Sequence, residues 1–230
     1  MFASTCVVGA GRVGRAAFAR LSERLPGVGL TGRELDCGDA ELILLCVPDR
    51  AIPEVASAIP EGPWLAHTSG AAQLSALEPH RRRFSVHPLQ TFTSDRGPEQ
   101  LDGAYGAVSA ESDEARDAGL ALARALGLRP FELPDEERPA YHAAATFASP
   151  FLVTLHEAAA ELMETAGAPP EALEPLMRRT MENGFTPTGP FVRGDYETVE
   201  SHLAAIRSRR PQLEPLYRSL ADLSARLVPR

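Results

Sequence analysis

A glycine-rich loop near the N-terminus is the first feature of the sequence that could do chemistry. The loop consists of Gly9, Ala10, Gly11, Arg12, Val13 and Gly14. It follows a β-rich run at 4–8 and opens a helical pattern at 12–24. In such a loop the first glycine makes a tight turn, the second lets a pyrophosphate approach the backbone, and the third allows the helix to pack closely on the strand. The helix N-terminus favours negative charge, so the loop predicts a dinucleotide-binding site.

The segment about twenty residues after the glycine loop indicates which dinucleotide binds. The sequence there reads Leu30-Thr31-Gly32-Arg33-Glu34, and an acidic side chain at this position would hold a ribose 2′-hydroxyl. Arg33 instead suits a 2′-phosphate, so we predict NADP rather than NAD. A solvated turn residue is the other interpretation. The segment from Thr31 to Asp39 is too short for an ordinary crossover helix, which indicates an adenosine side that is reduced or rebuilt as a loop.

Two histidines stand where predicted strands end. His67 begins His67-Thr68-Ser69-Gly70, and His87 begins His87-Pro88-Leu89-Gln90. Because the carboxyl ends of parallel strands line the ligand crevice, both side chains are expected near the glycine loop. Histidine can donate a proton near neutral pH, and the Thr and Ser beside His67 offer hydrogen bonds to a ribose or an amide. The alternative is that each histidine caps its strand through the local backbone.

The second half of the chain holds further candidates. His142 lies in a long helical pattern and could also supply a proton. His142 and His156 lie on nearly the same face of that pattern, but two histidines without an acidic ligand make a poor metal site, so no metal is predicted. Arg193 lies in a glycine- and proline-rich connection at 183–195. It could hold a substrate carboxylate, or simply pair with Asp195.

Strands and helices alternate over the first part of the chain. Strand patterns lie at 4–8, 42–47, 64–67, 84–87, 105–109 and 129–133, and helical patterns lie at 12–24, 50–58, 72–82 and 112–126. Several strand patterns are apolar on both faces, as in buried parallel strands. The alternation predicts an α/β domain with a doubly wound, Rossmann-like parallel sheet at 1–134. The remaining patterns, near 136–165, 169–183, 195–208 and 211–227, predict an all-α domain at 135–230.

Composition narrows the possible chemistry and partners. All 23 basic residues are Arg and none is Lys, which excludes a Schiff-base lysine and a lysine general acid or base. The net charge of −8 argues against binding to nucleic acid or to an anionic membrane. Three cysteines without a Cys-x-x-Cys motif and an N-terminus without a basic signal region predict reduced thiols and a cytoplasmic chain.

The uncharged stretch 139–155 is too short and too polar for a membrane span and predicts a buried or dimer-interface helix.

The order of several motifs resembles one known family. The motifs are Gly9-Ala10-Gly11-Arg12-Val13-Gly14, Val47-Pro48-Asp49, His67-Thr68-Ser69-Gly70, His87-Pro88-Leu89-Gln90-Thr91-Phe92, Tyr141-His142-Ala143-Ala144 and Thr188-Gly189-Pro190-Phe191-Val192-Arg193-Gly194-Asp195. They resemble the Rossmann-like proteins with a C-terminal domain of unknown function, DUF2520, over nearly the whole chain. That family looks like a branch of the 6-phosphogluconate dehydrogenase-like group, near pyrroline-5-carboxylate and ketopantoate reductases. The resemblance implies an NADP-binding first domain, a helical second domain, a dimer and oxidoreductase activity.

The sequence departs from that family in three places. Arg138 stands where a lysine is usual, Pro150 stands where an asparagine is usual, and the second βα unit is shortened. Lysine and asparagine are polar catalytic residues in related dehydrogenases. These differences therefore bear on whether the protein catalyses a reaction more than on whether it has the fold of the family.

Together these features predict an NADP-dependent oxidoreductase that transfers hydride to a small carbonyl or imine compound, with or without a carboxylate, in the interdomain cleft. The residues expected to act are Val47, Pro48, His67, Thr68 and Ser69 near the nicotinamide, His87 or His142 as the proton donor, and Arg138 and Arg193 at the substrate. The alternative is a nucleotide sensor or a dimeric binding protein that keeps the glycine loop without turnover. We expect a homodimer through the helical domain.

Overall fold

Seven strands form one sheet in the N-terminal part of the chain, in the order β2-β1-β3-β4-β5-β6-β7. The computed structural model describes residues 2–32 and 34–227. The strands are β1 (Thr5–Val8), β2 (Val28–Thr31), β3 (Leu42–Leu45), β4 (Trp64–His67), β5 (Arg83–Leu89), β6 (Tyr105–Ala110) and β7 (Arg129–Glu132). Neighbouring strands are parallel except for β5 and β6. Because β1 lies between β2 and β3, the sheet has the switch point at which ligands bind in open α/β sheets.

Both faces of the central strands are covered by helices. The strands β3 and β4 are buried along their whole length. Leu42 and Leu44 pack in a core with residues of α1 (Arg12–Arg24) and α3 (Asp113–Ala125). Ile43 and Leu45 face the other side and pack with α2 (Ile52–Ala58). This arrangement explains the apolar strand patterns and confirms the predicted doubly wound α/β fold.

The chain after β7 is helical, as predicted. The helices are α4 (Arg138–Ala148), α5 (Pro150–Thr165), α6 (Leu173–Glu182), α7 (Pro190–Arg193), α8 (Tyr196–Arg209) and α9 (Glu214–Arg226). Contacts divide the chain into two compact units between Thr146 and Phe147, whereas the change in sequence pattern lies at 134. The start of α4 belongs to the first unit because Asp135 and Arg138 contact residues that follow or lie in the strands.

The helix predicted at 72–82 was wrong. Only a 3₁₀ turn forms there, at Leu74–Leu77, and Glu78 then takes an extended conformation. Glu78 precedes Pro79, and the residue before a proline is disfavoured in the helical region. The apolar spacing of the segment therefore supports only a single turn, and a longer helix does not form.

The single helix predicted at 136–165 was also wrong, because the structure divides it into α4 and α5. Ser149 leaves the helical conformation, with φ −131° and ψ −76°, and Pro150 begins the next helix. A proline cannot donate a backbone hydrogen bond, and its ring clashes with the preceding turn. It is well suited to the first position of a helix instead.

The prediction of reduced thiols was wrong for two of the three cysteines. Cys6 in β1 and Cys37 in the connection from β2 to β3 form a disulfide, with Cα atoms 5.4 Å apart, whereas Cys46 is free. The absence of short cysteine motifs, on which the prediction was based, does not exclude a disulfide between distant residues. The two partners are 31 positions apart and meet only because the connection folds over β1.

Candidate functional site

The glycine-rich loop has the geometry that its sequence predicts. Gly9 has φ +112°, and a Cβ atom there would collide with the carbonyl oxygen of Cys46. A Cβ atom on Gly14 would collide with the carbonyl oxygen of Gly9, so these two glycines allow the turn and the close helix packing. Gly11 is different, since a Cβ atom there would meet no described atom within 4 Å. The surface above Gly11 is open to a ligand.

The connection from β2 to β3 is a loop, in place of a crossover helix. Its start is held by a hydrogen bond from the Gly9 N–H to the Thr31 carbonyl, at 2.9 Å. Further along, the disulfide at Cys37 fastens the loop to β1. The shortened βα unit is therefore rebuilt as a loop, one of the two outcomes that the sequence left open. Arg33, on which the preference for NADP depends, lies outside the described residues.

His67 is buried and hydrogen-bonded to the local backbone. Its Nδ1 atom accepts a hydrogen bond from the Ser69 N–H at 3.2 Å, so the ring proton lies on Nε2. Burial, followed by the positive charge of Arg138, lowers the pKa of His67 to about 3. The ring is neutral at physiological pH, and its geometry matches the strand-capping alternative.

Thr68 and Ser69 shape the turn that follows β4. The Thr68 hydroxyl donates to the Leu45 carbonyl at 3.3 Å. The Ser69 hydroxyl oxygen accepts from the N–H groups of Ala71 and Ala72, at 3.1 and 2.9 Å. Val47 and Pro48 follow the neighbouring strand β3, and the Val47 side chain lies next to Gly9. These segments thus lie at the carboxyl-terminal ends of neighbouring parallel strands, where the glycine loop also lies.

Arg138 has no exposed surface and fastens α4 to the sheet. Its two terminal nitrogens donate to the Ser69 carbonyl at 3.2 and 3.1 Å, and one of them also donates to the Ser85 hydroxyl. Its Nε atom lies 3.2 Å from a carboxylate oxygen of Asp135. Burial lowers the pKa of Arg138, and the Asp135 carboxylate opposes that change. The guanidinium is thus held by protein partners, and substrate binding by Arg138 stays a prediction.

Asp135 connects the same cluster to the turn after β4. Both of its carboxylate oxygens accept the Leu74 N–H, at 3.1 and 3.0 Å, which caps the 3₁₀ turn. Asp135 and Arg138 together therefore position the His67–Gly70 segment relative to the first turn of α4. Removing either Asp135 or Arg138 would destabilise the protein, because the other residue would keep an uncompensated charge.

His87, Tyr141 and His142 form an aromatic cluster around Gly70. The Tyr141 hydroxyl lies 2.7 Å from Nδ1 of His87, and the ring centroids of His87 and His142 are 6.2 Å apart. A Cβ atom on Gly70 would lie 2.8 Å from Nε2 of His87 and 2.7 Å from Cδ2 of His142. A glycine is therefore needed at position 70, and it leaves the Nε2 edge of His87 uncovered by a side chain from this loop.

Burial sets the protonation states in this cluster. It lowers the pKa of His87 to about 4, with a further contribution from the charge of Arg138. It raises the pKa of Tyr141 to about 12, against the opposing effect of Arg138. At neutral pH the pair is a neutral imidazole and a neutral phenol. In the His87 tautomer that carries its proton on Nε2, the Tyr141 hydroxyl donates to Nδ1.

The structure brings together most of the predicted site residues but not all of them. His67, Ser69, His87, Arg138 and His142 lie in one cluster of the first unit. Arg193 belongs to the second unit, which the structure describes by itself. There its Nη2 atom lies 3.8 Å from the Asp195 carboxylate, which matches the local pairing that the sequence left open.

Four residues of the cluster were not among the predicted site residues. They are Gly70, Ser85, Asp135 and Tyr141. Tyr141 and Gly70 lie in the family motifs given above, next to the predicted residues His142 and Ser69. This position in the sequence could have indicated that they belong to the site. Ser85 and Asp135 have no such signal, because their contact with Arg138 depends on tertiary structure.

Within 2–32 and 34–227, no three His, Cys, Asp or Glu side chains are grouped as they would be around a metal ion. In the same residues, none of the helices has the length and apolar character needed to cross a membrane.

The sheet order, its switch point and the glycine loop define a Rossmann-type fold followed by a helical region. The chain belongs to the family described as domain of unknown function DUF2520, whose sequence profile matches residues 104–223. The family that the motifs resemble is thus confirmed. No curated protein matches the chain.

Solved structures are similar over almost the entire length. A candidate NADP oxidoreductase, BF3122 of Bacteroides fragilis, has 22% identity and a TM-score of 0.80, with 97% of this chain and 98% of that chain covered. Protein TM1727 of Thermotoga maritima has 24% identity and a TM-score of 0.77, with 96% and 98% covered. The 1-pyrroline-5-carboxylate reductase of Streptococcus pyogenes has 13% identity and a TM-score of 0.62, with 97% and 98% covered. At these identities the likeness concerns the fold.

Proposed function

We propose that this protein is a nicotinamide-dependent reductase of a small carbonyl or imine compound. The observation that carries the proposal is the open surface at Gly11, at the carboxyl-terminal end of the parallel strands, where His87 of β5 pairs with Tyr141 of α4. A similar structure is described as an NADP oxidoreductase, and another reduces the cyclic imine 1-pyrroline-5-carboxylate. Both descriptions support the proposal by fold analogy.

The residues of the loop fit the pyrophosphate of a dinucleotide. The backbone at Gly11 is uncovered, and the N-terminus of α1 has no side-chain cap, so its N–H groups remain available to phosphate oxygens. When bound, the nicotinamide would supply the hydride. NADP rather than NAD is our preferred cofactor, and that choice depends on Arg33.

Proton delivery is assigned to the His87–Tyr141 pair. His87 would donate its Nε2 proton to the substrate atom next to the carbon that receives hydride. Nδ1 would then take the Tyr141 proton, and the positive charge of Arg138 would stabilise the tyrosinate until solvent returns a proton. His67 orders the turn and has no part in this transfer. His142 contributes by packing against His87.

Cofactor binding is tested by a matched pair of glycine substitutions. Gly11→Val places a side chain where the pyrophosphate would approach, and Gly29→Val places one in open space on β2. We expect NADPH to quench or shift protein fluorescence in the wild type and in Gly29→Val, with binding weakened at least tenfold in Gly11→Val. If the wild type binds neither NADPH nor NADH at millimolar concentration, the proposed function is wrong.

A nucleotide sensor without turnover is the second candidate. The observation that favours it is Arg138, which takes the place of the family's usual lysine and is wholly enclosed by protein partners. The test is NADPH oxidation, followed at 340 nm, with a panel of small imines and oxo acids. Saturable NADPH binding without oxidation of cofactor by any member of the panel would support the sensor.

We also propose that the protein is a homodimer through its helical region. The second unit buries few of its own apolar side chains. Val199, Leu203 and Ile206 of α8 are buried, whereas α5 and α6 bury none of their residues. A second copy of the chain would cover the remaining apolar surface.

A further inference from the structure

The disulfide between Cys6 and Cys37 borders a cavity that the proposed reaction does not use. The cavity has a volume of about 320 Å³ and lies between the loop from β2 to β3 and the starts of β1 and β2, at the opposite end of β1 from the glycine loop. Both cysteines line it. Cys6 is only 4% exposed, whereas Cys37 is half-buried. The Cys37 side of the disulfide is therefore the one that faces a thiol from solvent.

The disulfide fastens the middle of the loop from β2 to β3 to the sheet. At the start of the loop, the Gly9 N–H donates to the Thr31 carbonyl at 2.9 Å. At its end, the Glu41 N–H donates to the Ser4 hydroxyl at 3.0 Å. Between these ends, the hydrogen bonds of the described residues 35–38 connect only to other residues of the loop. Reduction would therefore leave this middle segment without a bond to the sheet, while both ends of the loop stay attached.

The loop begins where the adenosine of a dinucleotide is expected. In a Rossmann-type fold, the residues that follow the second strand contact the adenosine ribose, and here those residues open this loop. A loop that is held in place before binding loses less conformational entropy when a ligand binds. The oxidised loop is therefore preorganised, whereas the reduced loop has to be ordered by the dinucleotide.

We propose that the Cys6–Cys37 disulfide is a redox switch for dinucleotide binding, in which the oxidised protein binds tightly and the reduced protein binds weakly. This inference rests on the proposed function, because it regulates the same site. The reductant that it requires is a dithiol, a class of compound that exchanges with protein disulfides. Small dithiols and dithiol proteins share this chemistry, and dithiothreitol serves as the probe.

The exchange takes place in two steps. A thiolate of the dithiol attacks the Cys37 sulfur, a new S–S bond forms, and Cys6 leaves as a thiolate that takes up a proton. The second thiolate of the dithiol then attacks the dithiol sulfur of this mixed disulfide, and Cys37 leaves in the same way. Two electrons and two protons thus pass to the protein, and the dithiol becomes a disulfide.

Limited proteolysis tests the release of the loop in the absence of any dinucleotide. A glutamate-specific protease can cut after Glu34 in the loop and after Glu61, an exposed residue between α2 and β4 that serves as the control. Thiol titration confirms that dithiothreitol has reduced the disulfide. We expect reduction to speed cleavage after Glu34 at least tenfold and to leave cleavage after Glu61 unchanged, and oxidised dithiothreitol should reverse the effect. Equal cleavage after Glu34 in both redox states would overturn the proposal.

Fluorescence titration with NADPH tests the switch itself. We expect the reduced wild type to bind about tenfold more weakly than the oxidised protein. Cys37→Ser cannot form the disulfide, so it should bind as weakly as the reduced wild type and should not respond to dithiothreitol. Any effect of the reagent other than reduction would appear in this variant. Equal affinity of the oxidised and reduced wild type would overturn the switch and leave the proposed function intact.

Linkage provides an independent measurement. If the oxidised protein binds NADPH more tightly, NADPH must stabilise the disulfide by the same factor. A tenfold difference in affinity corresponds to a midpoint potential that is lowered by about 30 mV at saturating NADPH, which dithiothreitol redox buffers measure. An unchanged potential in a protein that binds NADPH would contradict the switch. A protein that binds neither NADPH nor NADH would lose both the proposed function and its regulation, whereas cleavage after Glu34 would still show whether the disulfide controls the loop.

Discussion

Two histidines at neighbouring strand ends have different capacities to move a proton. His67 is enclosed and its Nδ1 accepts the Ser69 N–H, whereas His87 is partly exposed and its Nδ1 is paired with the Tyr141 hydroxyl. Both lie near the carboxyl ends of neighbouring strands, His67 as the last residue of β4 and His87 two residues before the end of β5. What separates them is the partner of Nδ1, a backbone amide in one ring and a phenol in the other.

Tyr141→Phe removes the far end of the proposed proton relay. We expect kcat to fall by roughly a hundredfold or more, the usual size of a general acid contribution, with NADPH affinity unchanged. Steady-state kinetics and fluorescence titration measure the two effects separately. The control is Tyr105→Phe, which removes an exposed hydroxyl from β6. A wild-type kcat in Tyr141→Phe would remove this tyrosine from the mechanism.

The buried histidines also predict how stability depends on pH. The pKa of His67 falls from 6.5 to about 3 on folding, and that of His87 falls to about 4. The unfolded chain therefore binds more protons below pH 6.5, and the free energy of unfolding decreases as the pH drops from about 6.5 towards 4. Each group contributes at most about 1.4 kcal/mol per pH unit.

Urea denaturation at pH 7, 6 and 5 measures this dependence. We expect a shallower decrease in His67→Gln than in the wild type, because that side chain does not titrate. Gln212→Asn, at an exposed position, changes no titrating side chain, so it serves as the control and should keep the wild-type slope. An identical slope in His67→Gln and the wild type would show that His67 titrates normally in the folded protein.

At the scale of secondary structure elements, the connection from β2 to β3 is unusual because a disulfide replaces a helix. The loop has too few residues to pack a helix on the sheet, and Cys37 instead attaches it to Cys6 of β1. The start of this loop borders Gly9 through the Thr31 carbonyl. The disulfide therefore supports the side of the site where a dinucleotide's adenosine is expected.

Cys37→Ser is expected to lower the free energy of unfolding by about 3 kcal/mol, because the loop closed by the disulfide no longer restricts the unfolded chain. Thiol titration under denaturing, non-reducing conditions should find one free thiol in the wild type, that of Cys46. Cys46→Ser is the control and should remove that thiol while leaving the disulfide. Three free thiols in the wild type would contradict the disulfide and restore the predicted reduced state.

The elements that the sequence predicted well are those whose signal is local. The apolar runs of β3 and β4 and the glycine turn before α1 each carry their own signal over a few residues. The segments that were predicted wrongly depend on prolines or on contacts between residues that are far apart in the sequence. Pro79 and Pro150 interrupt patterns whose apolar spacing continues. Arg138 becomes buried only because its acceptors, Ser69 after β4 and Ser85 in β5, come from residues far away in the sequence.

At the scale of the whole molecule, the proposed homodimer depends on large apolar side chains that the second unit exposes. Phe147 is 68% exposed, Val153 is 61% exposed and Phe185 is 70% exposed. Monomeric proteins rarely leave such side chains in contiguous patches. A unit of this size with few buried side chains gains little stability from its own core, so association with a second copy would supply much of it.

Val153→Asp tests this association, because it introduces a charge into the apolar face of α5 where burial would leave it unpaired. Sedimentation should show a dimer for the wild type and a monomer for the variant. The control is Ser201→Asp, which adds the same charge to an exposed position of α8 and should remain dimeric. Since a dimer is stabilised by mass action, the melting temperature of the wild type should also rise with protein concentration, whereas that of Val153→Asp should not. A wild type that sediments as a monomer at micromolar concentration, with a melting temperature independent of concentration, would contradict the proposed homodimer.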